Sequence, residues 1–565
     1  MSEEQENISV KLPVDCIYEI IQYIVDDVKT LYSCIIVNQT FCQVAIRILW
    51  SNPFKYVKDE HKKSKIFQTY FSCLDDQEKE QISTFIHKPV SDFPKPFINY
   101  PNFLKEFVLY DIQTSMKSFI RQQFTTLPTE NRINSIVRTL NPFMKKLLFN
   151  EQSNFKYINV NFNGIQISLE RNHMDLSLIN DEVLKQVFLN VTRFSFGFNF
   201  AHDMKRVEFM NFIKRNAKTL TDTILEHNKD IQHIRLSLKS LYVSEKRSNK
   251  LILLHEKYFE ILKILGLFIL SLNNLKSFET SCFWKNKNFV KLFRKHSHSL
   301  TYLKLHEIFD CSIIINILDS CPNLETVELH SFYFNINTDN SISNKQITSN
   351  LNHLKNLYVM ICNPFIFKLV ERIILMSNNN LKTLFCCKSL TYYSYYAFNY
   401  DITSSIKSFC TNLTHLFIKI LNEREIQSII EHLNSLQNLI HLKLSFDNFF
   451  NYDKIAELGR SFAPSLQILE INSIVITERL EVLLQNIQCN LKEINIYECI
   501  DDDILKIIMK YARQRNSLMK FKYLNNEINM FYSQLSPKLL EEARNLFTVD
   551  KVSESFMSSF VKSIF

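Results

Sequence analysis

The sequence predicts an α/β solenoid, a horseshoe with parallel strands inside and helices outside, preceded by a small all-α module. Three observations carry this reading. A short apolar motif returns ten times at intervals of 24 to 32 residues, helical segments lie between its returns, and the first fifty residues follow helical spacing. With 565 residues, the chain is far longer than one ordinary core supports, so several domains or a repeat array are expected. A hydrophobic fraction of 46%, with 47 Phe and 23 Tyr, belongs to a chain that folds along most of its length.

Composition also excludes function classes. Only four glycines occur, at Gly164, Gly197, Gly266 and Gly459. Dinucleotide cradles, P-loops, kinase glycine loops and nucleophile elbows need two or more close glycines, so none can be written here. The charge balance of 66 Lys+Arg against 58 Asp+Glu leaves +8, too dilute over this length to mark a phosphate-tracking surface. The start MSEEQEN lacks the basic and apolar regions of a secretion signal. The longest apolar stretch, Ile261 to Leu272, is interrupted by Lys263 and is shorter than the ~20 residues a bilayer requires. Thirteen cysteines without a CxxC read as reduced thiols, so the expectation is a cytoplasmic or nuclear protein without disulfides, metal or cofactor.

From Leu12 onward, Ile17, Ile20, Ile21 and Ile24 form one helical stripe, and Pro13 suits the first turn. Asp27 predicts the start of a second helix bearing Leu31, Cys34 and Ile35. Thr40 predicts the start of a third, bearing Val44, Ala45, Ile48 and Leu49. About forty residues bury too little surface to be robust alone, so the module is expected to complete its core against a partner or the rest of the chain.

The Leu-Pro start, the D-C-I-x-E-I-I run, the V-N-x-x-F segment and the closing L-W resemble the F-box domain over roughly residues 10–54. That resemblance implies docking on the Skp-type adaptor of a cullin-RING ubiquitin ligase. The matching positions are Leu12, Pro13, Ile17, Ile20, Leu31, Val37, Phe41, Leu49 and Trp50. Phe41 stands where many members place Trp, a departure that bears on adaptor affinity rather than on the fold.

Downstream, a unit of the form [Asn/Ser]-Leu-x-x-apolar-x-apolar returns as NLKSFET, SLTYLKL, NLETVEL, HLKNLYV, NLKTLFC, NLTHLFI, NLIHLKL, SLQILEI, NLKEINI and SLMKFKY. Its first leucines are Leu275, Leu300, Leu324, Leu354, Leu381, Leu413, Leu439, Leu466, Leu491 and Leu518, a spacing that centres on the period of leucine-rich repeats. Helices are expected in IFKLVERIILM after Pro364, EIQSIIEHL, ERLEVLLQNI and DDDILKIIMKYA. Weaker strand-like matches start at Leu104, Phe155, Val191 and Ile231. The predicted organisation is an F-box at 1–55, a helical linker at 56–98, a solenoid at 99–535 that is regular from about 270, and a helical cap at 536–565 opened by Ser536 and Pro537.

Side chains alternate along a strand, so the residue between the second and third apolar positions points to the concave face. That position reads Lys304, Glu328, Tyr358, Phe385, Phe417, Lys443, Glu470, Asn495 and Lys522. Tyr358, Phe385 and Phe417, flanked by Glu328 and Lys443, are the candidate substrate-binding patch, since aromatic anchors with polar rims are typical of binding hot spots. His296 and His298 read as a solvated loop rather than a metal site. Asp501, Asp502 and Asp503 read as charges at a helix start, and Cys386 and Cys499 as packing residues.

A docking module joined to a repeat array resembles the F-box/leucine-rich-repeat proteins, which are substrate receptors of SCF ubiquitin ligases. The implied role is non-catalytic: recruiting an unknown protein substrate by proximity. Two other functions stay open on the residues alone, a ligase-independent interaction scaffold and a nucleic-acid-binding repeat protein supported by Lys443 and Lys522.

Overall fold

The computed structural model describes residues 12–553 except 58, 87–88, 125–127, 162–180, 199–205, 239–248, 282–287, 307–310, 331–349, 362–364, 389–405, 407, 421–422, 447–450, 473–476, 498–499 and 526–534. Pro364 and Cys499 therefore lie outside the described residues. The chain divides into two compact units, Met1–Cys282 and Phe283–Phe565.

The first unit opens with α1 (Val14–Gln22), α2 (Val28–Ile35) and α3 (Gln39–Leu49). Pro13 sits just before α1, and its carbonyl accepts from Ile17 N–H at 3.2 Å. Asp27 caps α2, its carboxylate accepting from Thr30 N–H at 3.1 Å. The third helix is capped two residues earlier than expected at Thr40: Asn38 Oδ1 accepts from Phe41 N–H at 3.0 Å, so Asn38 is the cap. Ile17, Ile21, Leu31, Cys34, Val44, Ala45, Ile48 and Leu49 form the core of this bundle.

The chain just beyond α3 extends that small core. The Ser51 carbonyl accepts from both Lys105 N–H at 2.9 Å and Glu106 N–H at 3.1 Å. Trp50 packs against Tyr70 and Tyr100, with ring centroids 5.5 and 4.2 Å away. The segment from 56 to 98 holds α4 (Glu60–Ser72) and α5 (Asp76–Ile86). Phe67 and Phe71 of α4 meet Phe119 at 5.3 and 5.6 Å, and Phe93 closes the cluster at 4.8 Å from Phe71. Burying each such ring stabilises by about 1.5–3 kcal/mol, so these helices are structural members of the unit.

Five strands come next, each reached through one or two helices: β1 (Glu106–Val108), β2 (Tyr157–Asn161), β3 (Arg193–Phe198), β4 (His233–Leu238) and β5 (Ser277–Thr280). All pair in parallel in chain order. The degenerate matches at Leu104, Phe155, Val191 and Ile231 lead directly into the first four.

The second unit repeats the plan with β6 (Tyr302–His306), β7 (Thr326–His330), β8 (Asn356–Ile361), β9 (Thr383–Lys388), β10 (His415–Ile420), β11 (His441–Phe446), β12 (Ile468–Asn472), β13 (Glu493–Ile496), β14 (Lys520–Asn525) and β15 (Thr548–Ser553). They too are parallel and in order. Helices occur where expected, at Phe365–Met376, Glu423–Leu433, Thr477–Asn486 and Asp502–Arg515. This is the leucine-rich-repeat class of solenoid.

The motif explains the stacking. Its ten leading leucines are all buried, and the residue after each of the eight from Leu300 to Leu491 presents a carbonyl that accepts two N–H groups from the next turn. Thr414 O, for example, takes Ile440 N–H at 2.9 Å and His441 N–H at 3.0 Å. Ser51 makes the same paired contact with the turn into β1, so the end of the helical module occupies the place of a preceding repeat. Helix ends that would ordinarily use glycine use asparagine: Asn516, at φ 50°, closes Asp502–Arg515 and donates to Ala512 O at 2.8 Å. Asn378 and Asn379, at φ 47° and 63°, follow Phe365–Met376. Gly459 serves close approach instead, since a Cβ there would lie 2.7 Å from Leu483 O.

Ser536 and Pro537 open a helix as expected, with Ser536 Oγ accepting from Leu539 N–H at 3.3 Å. The cap does not remain helical, because Phe547 turns inward and β15 adds to β14 through the same ladder. Among the described residues no helix is long and apolar enough to cross a membrane.

Candidate functional site

Two surfaces stand out, one in each unit. On the helical module, Ile17 and Ile21 turn inward on α1, which leaves Val14 and Tyr18, one turn apart, on its outer side. Tyr32 and Ile36 are spaced the same way along α2 and beyond its end. Leu12, Val14, Tyr18, Ile20, Tyr23, Tyr32, Ile36 and Val37 are all exposed, Tyr23 and Ile36 to 89% and 86%. Eight of the twenty exposed large hydrophobic residues among those described thus fall between residues 12 and 37. Such clustering marks an interaction face.

The structure divides the nine expected adaptor contacts. Leu12, Pro13, Ile20 and Val37 are exposed, and Phe41 is half-buried against the bundle core. Ile17, Leu31 and Leu49 are interior at 4%, 0% and 6% exposure and fill the core of the bundle. Trp50 is half-buried between Tyr70 and Tyr100. Val14, Tyr18, Tyr23, Tyr32 and Ile36 were not singled out from the sequence; the available signal was that they are apolar yet lie off the buried stripe.

In the second unit, the ladder places Lys304, Glu328, Tyr358, Phe385, Phe417, Lys443, Glu470, Asn495 and Lys522 side by side on successive strands, continued by Asp550. The three aromatics touch in sequence: Tyr358 and Phe385 have centroids 6.2 Å apart, and Phe385 stacks on Phe417 at 4.1 Å and 22°. Tyr358 and Phe385 are half-buried, while Phe417 is 8% exposed. Lys443 Nζ lies 5.3 Å from the Phe417 centroid and 4.3 Å from that of Tyr497.

The charges at either end of this aromatic run are closed on themselves. Lys304 Nζ meets Glu328 at 2.8 Å, and Tyr302 donates its hydroxyl to the same carboxylate at 2.8 Å. Lys443 Nζ meets Glu470 at 3.1 Å, His441 Nε2 lies 3.0 Å from it, and Asn495 Nδ2 donates to it at 3.3 Å. Burial pushes both carboxyls up, but for Glu328 contacts from His330, Lys304 and Tyr302 outweigh it, and for Glu470 those from His441 and Lys443 do, holding each at about 2. Burial pushes His330 and His415 down, favouring neutral imidazoles on the same face. Glu328 and Lys443, read from sequence as charges flanking the patch, therefore brace it from within.

The rows beside this one carry further rings. His306 and His330, with centroids 4.5 Å apart, and His415 and His441 at 5.5 Å all lie two residues from the row on their strands, and Tyr497 follows the end of β13. The period of two would have found them. The corresponding face of the first unit is polar instead: Arg193 lies over Tyr157 at 5.0 Å and pairs with Glu106 at 2.8 Å, and Arg235 pairs with Glu279 at 3.2 Å.

No family model and no curated protein matches this sequence. Solved structures do. A chain in the crystal structure of the Rad7 and Elc1 complex in yeast is 13% identical, with 78% of this chain and 93% of that chain covered at a TM-score of 0.35. A Bacteroides fragilis protein is 10% identical, with 66% and 68% covered at a TM-score of 0.22. At such values neither likeness extends to function.

Other sequence candidates resolve differently. His296 is buried at the end of helix Asn288–Lys295 while His298 is exposed, so only the second has the solvated setting expected of both. Among the described residues no three His, Cys, Asp or Glu are grouped to hold a metal. Asp501 caps its helix, accepting from Ile504 N–H at 2.8 Å. Cys386 is buried as packing, and burial pushes the Cys321 and Cys410 thiols up to about 12, far from a reactive thiolate. Lys443 is engaged by Glu470 and Lys522 by Glu493 at 2.6 Å, which removes both as open phosphate contacts.

Proposed function

We propose that this chain is a non-catalytic substrate-recognition subunit of an SCF-type ubiquitin ligase. Its helical module docks a Skp-type adaptor through Leu12, Ile20, Val37 and the apolar residues around them. The aromatic run of Tyr358, Phe385 and Phe417 holds a protein substrate. The observation that carries this reading is the concentration of exposed apolar side chains on a bundle of F-box-like sequence whose own core is already filled. Such a face is costly to leave in water and gains about 25 cal/mol per Å² when a partner covers it. Holding a substrate beside a charged conjugating enzyme raises its effective concentration to roughly the mM range, so the chain needs no chemistry of its own.

The test is affinity capture of the chain with a purified Skp-type adaptor, comparing wild type with a variant carrying Ile20→Asp and Val37→Asp. Both sites are exposed, so the variant folds. Adaptor capture by wild type and its loss in the variant support the proposal; equal capture, or none by wild type, overturns it. A ligase-independent scaffold is the reading left if wild type folds and captures no adaptor.

A further inference from the structure

We propose that the groove between α2, the end of α3 and α4 is a separate docking site, which receives one bulky apolar side chain from an acidic segment of a protein partner. This goes beyond the ligase reading and does not depend on it. The groove encloses about 300 Å³; Ile35, Trp50 and Ile66 are among its apolar lining, Tyr32 stands at its mouth, and Lys62 and Lys65 also line it.

Its chemistry selects the occupant. The lining is dominated by Val28, Tyr32, Ile35, Leu49, Trp50 and other apolar or aromatic groups, so the entering group is apolar. A space of 300 Å³ is at the bottom of the range for small-molecule sites and suits one or two side chains rather than a cofactor. Tyr32 joins the mouth to the exposed apolar stretch of Ile36 and Val37, a continuous surface of the kind proteins dock on. Lys62 and Lys65, three apart on α4, are exposed, and neither makes an ion pair among the described residues, whereas nearby Lys55 is already held by Asp26 at 2.8 Å. Two open ammonium groups beside an apolar slot complement carboxylates flanking the inserted side chain and repel a basic segment.

The experiment uses the intact chain and three labelled five-residue peptides: tryptophan between pairs of glutamates, tryptophan between pairs of lysines, and alanine between pairs of glutamates. Fluorescence polarisation is expected to show the first binding at least about tenfold more tightly than either other. Lys62→Glu with Lys65→Glu, both on the surface, is expected to reverse the preference towards the lysine peptide. Ile66→Trp, which fills the slot from α4, is expected to abolish binding with the circular dichroism spectrum unchanged. Ile20→Asp, on α1 and outside the lining of the groove, leaves peptide binding intact, so failure here and failure of the adaptor proposal are separable. Equal binding of acidic and basic peptides, an unchanged ranking after charge reversal, or no binding of the acidic tryptophan peptide at about 1 mM overturns the site.

Discussion

Replacing Glu470 by Gln removes the negative charge that Lys443 and His441 share on the face of β11 and β12. The carboxylate is 7% exposed and lies 3.1 Å from Lys443 Nζ and 3.0 Å from His441 Nε2. Against the opposing effect of burial, these neighbours hold its carboxyl at about 2 rather than its ordinary 4.5, which corresponds to about 3 kcal/mol. The same range follows independently from the ~3–5 kcal/mol lost when one member of a buried ion pair is removed. Because the carboxyl is depressed in the folded chain, its stabilisation is fully present above pH 4.5 and is lost as pH falls towards 2. Hydrogen exchange read by mass spectrometry across β11, β12 and β13 measures this locally, which suits a repeat protein whose unfolding need not be all-or-none. At pH 7 the variant is expected to exchange about a hundredfold faster there, and the gap is expected to close between pH 4.5 and 2. Removing both charges with Lys443→Met and Glu470→Leu is expected to restore most of the protection. A single variant within about 0.5 kcal/mol of wild type at pH 7, or a gap that persists at pH 2, would show that the contacts of Lys443 and His441 do not stabilise the ionised carboxylate.

Three further outcomes are expected. Asn228→Ala removes donors to the Phe188, Leu189 and Val191 carbonyls at 2.9, 3.3 and 2.8 Å and an acceptor for Asp230 N–H, and is expected to destabilise the turn into β4 by about 2–3 kcal/mol in urea unfolding. Gly459→Ala places a Cβ 2.7 Å from Leu483 O and is expected to cost about 1–3 kcal/mol by forcing apart helices Tyr452–Arg460 and Thr477–Asn486, seen as a lower midpoint in thermal unfolding. Serine at Tyr358, Phe385 and Phe417 together is expected to remove substrate retention in proteasome-inhibited cells while adaptor capture is unchanged; undiminished retention removes the aromatic run from the substrate site.

The repeat class was legible because its signal is redundant. Leu300, Leu324, Leu354 and the later leading leucines each mark a buried position, and one degenerate unit does not erase the period. Strands β2, β3 and β4 were weaker to read because their turns are longer and begin with Phe155, Val191 and Ile231 in place of leucine. The row from Lys304 to Lys522 was readable from alternation alone, but its electrostatic state was not. That Lys443 and Glu328 are nearly enclosed depends on neighbours contributed by other strands, which one-strand spacing does not reveal. For the same reason Ile17, Leu31 and Leu49 matched a contact pattern yet proved interior, since a helical stripe gives the face and only packing says which stripe is covered. Asn38 displaced Thr40 as a cap because both are competent acceptors, and the choice falls to the one whose backbone is extended.

In the proposed function the exposed apolar face of the helical module docks the adaptor, and the strand face of the second unit holds the substrate. Hydrogen exchange of the full chain with and without a purified Skp-type adaptor tests it most directly. New protection is expected in α1 and α2 and none in β6 to β14. Protection confined to the strands, or no change anywhere at saturating adaptor, contradicts it.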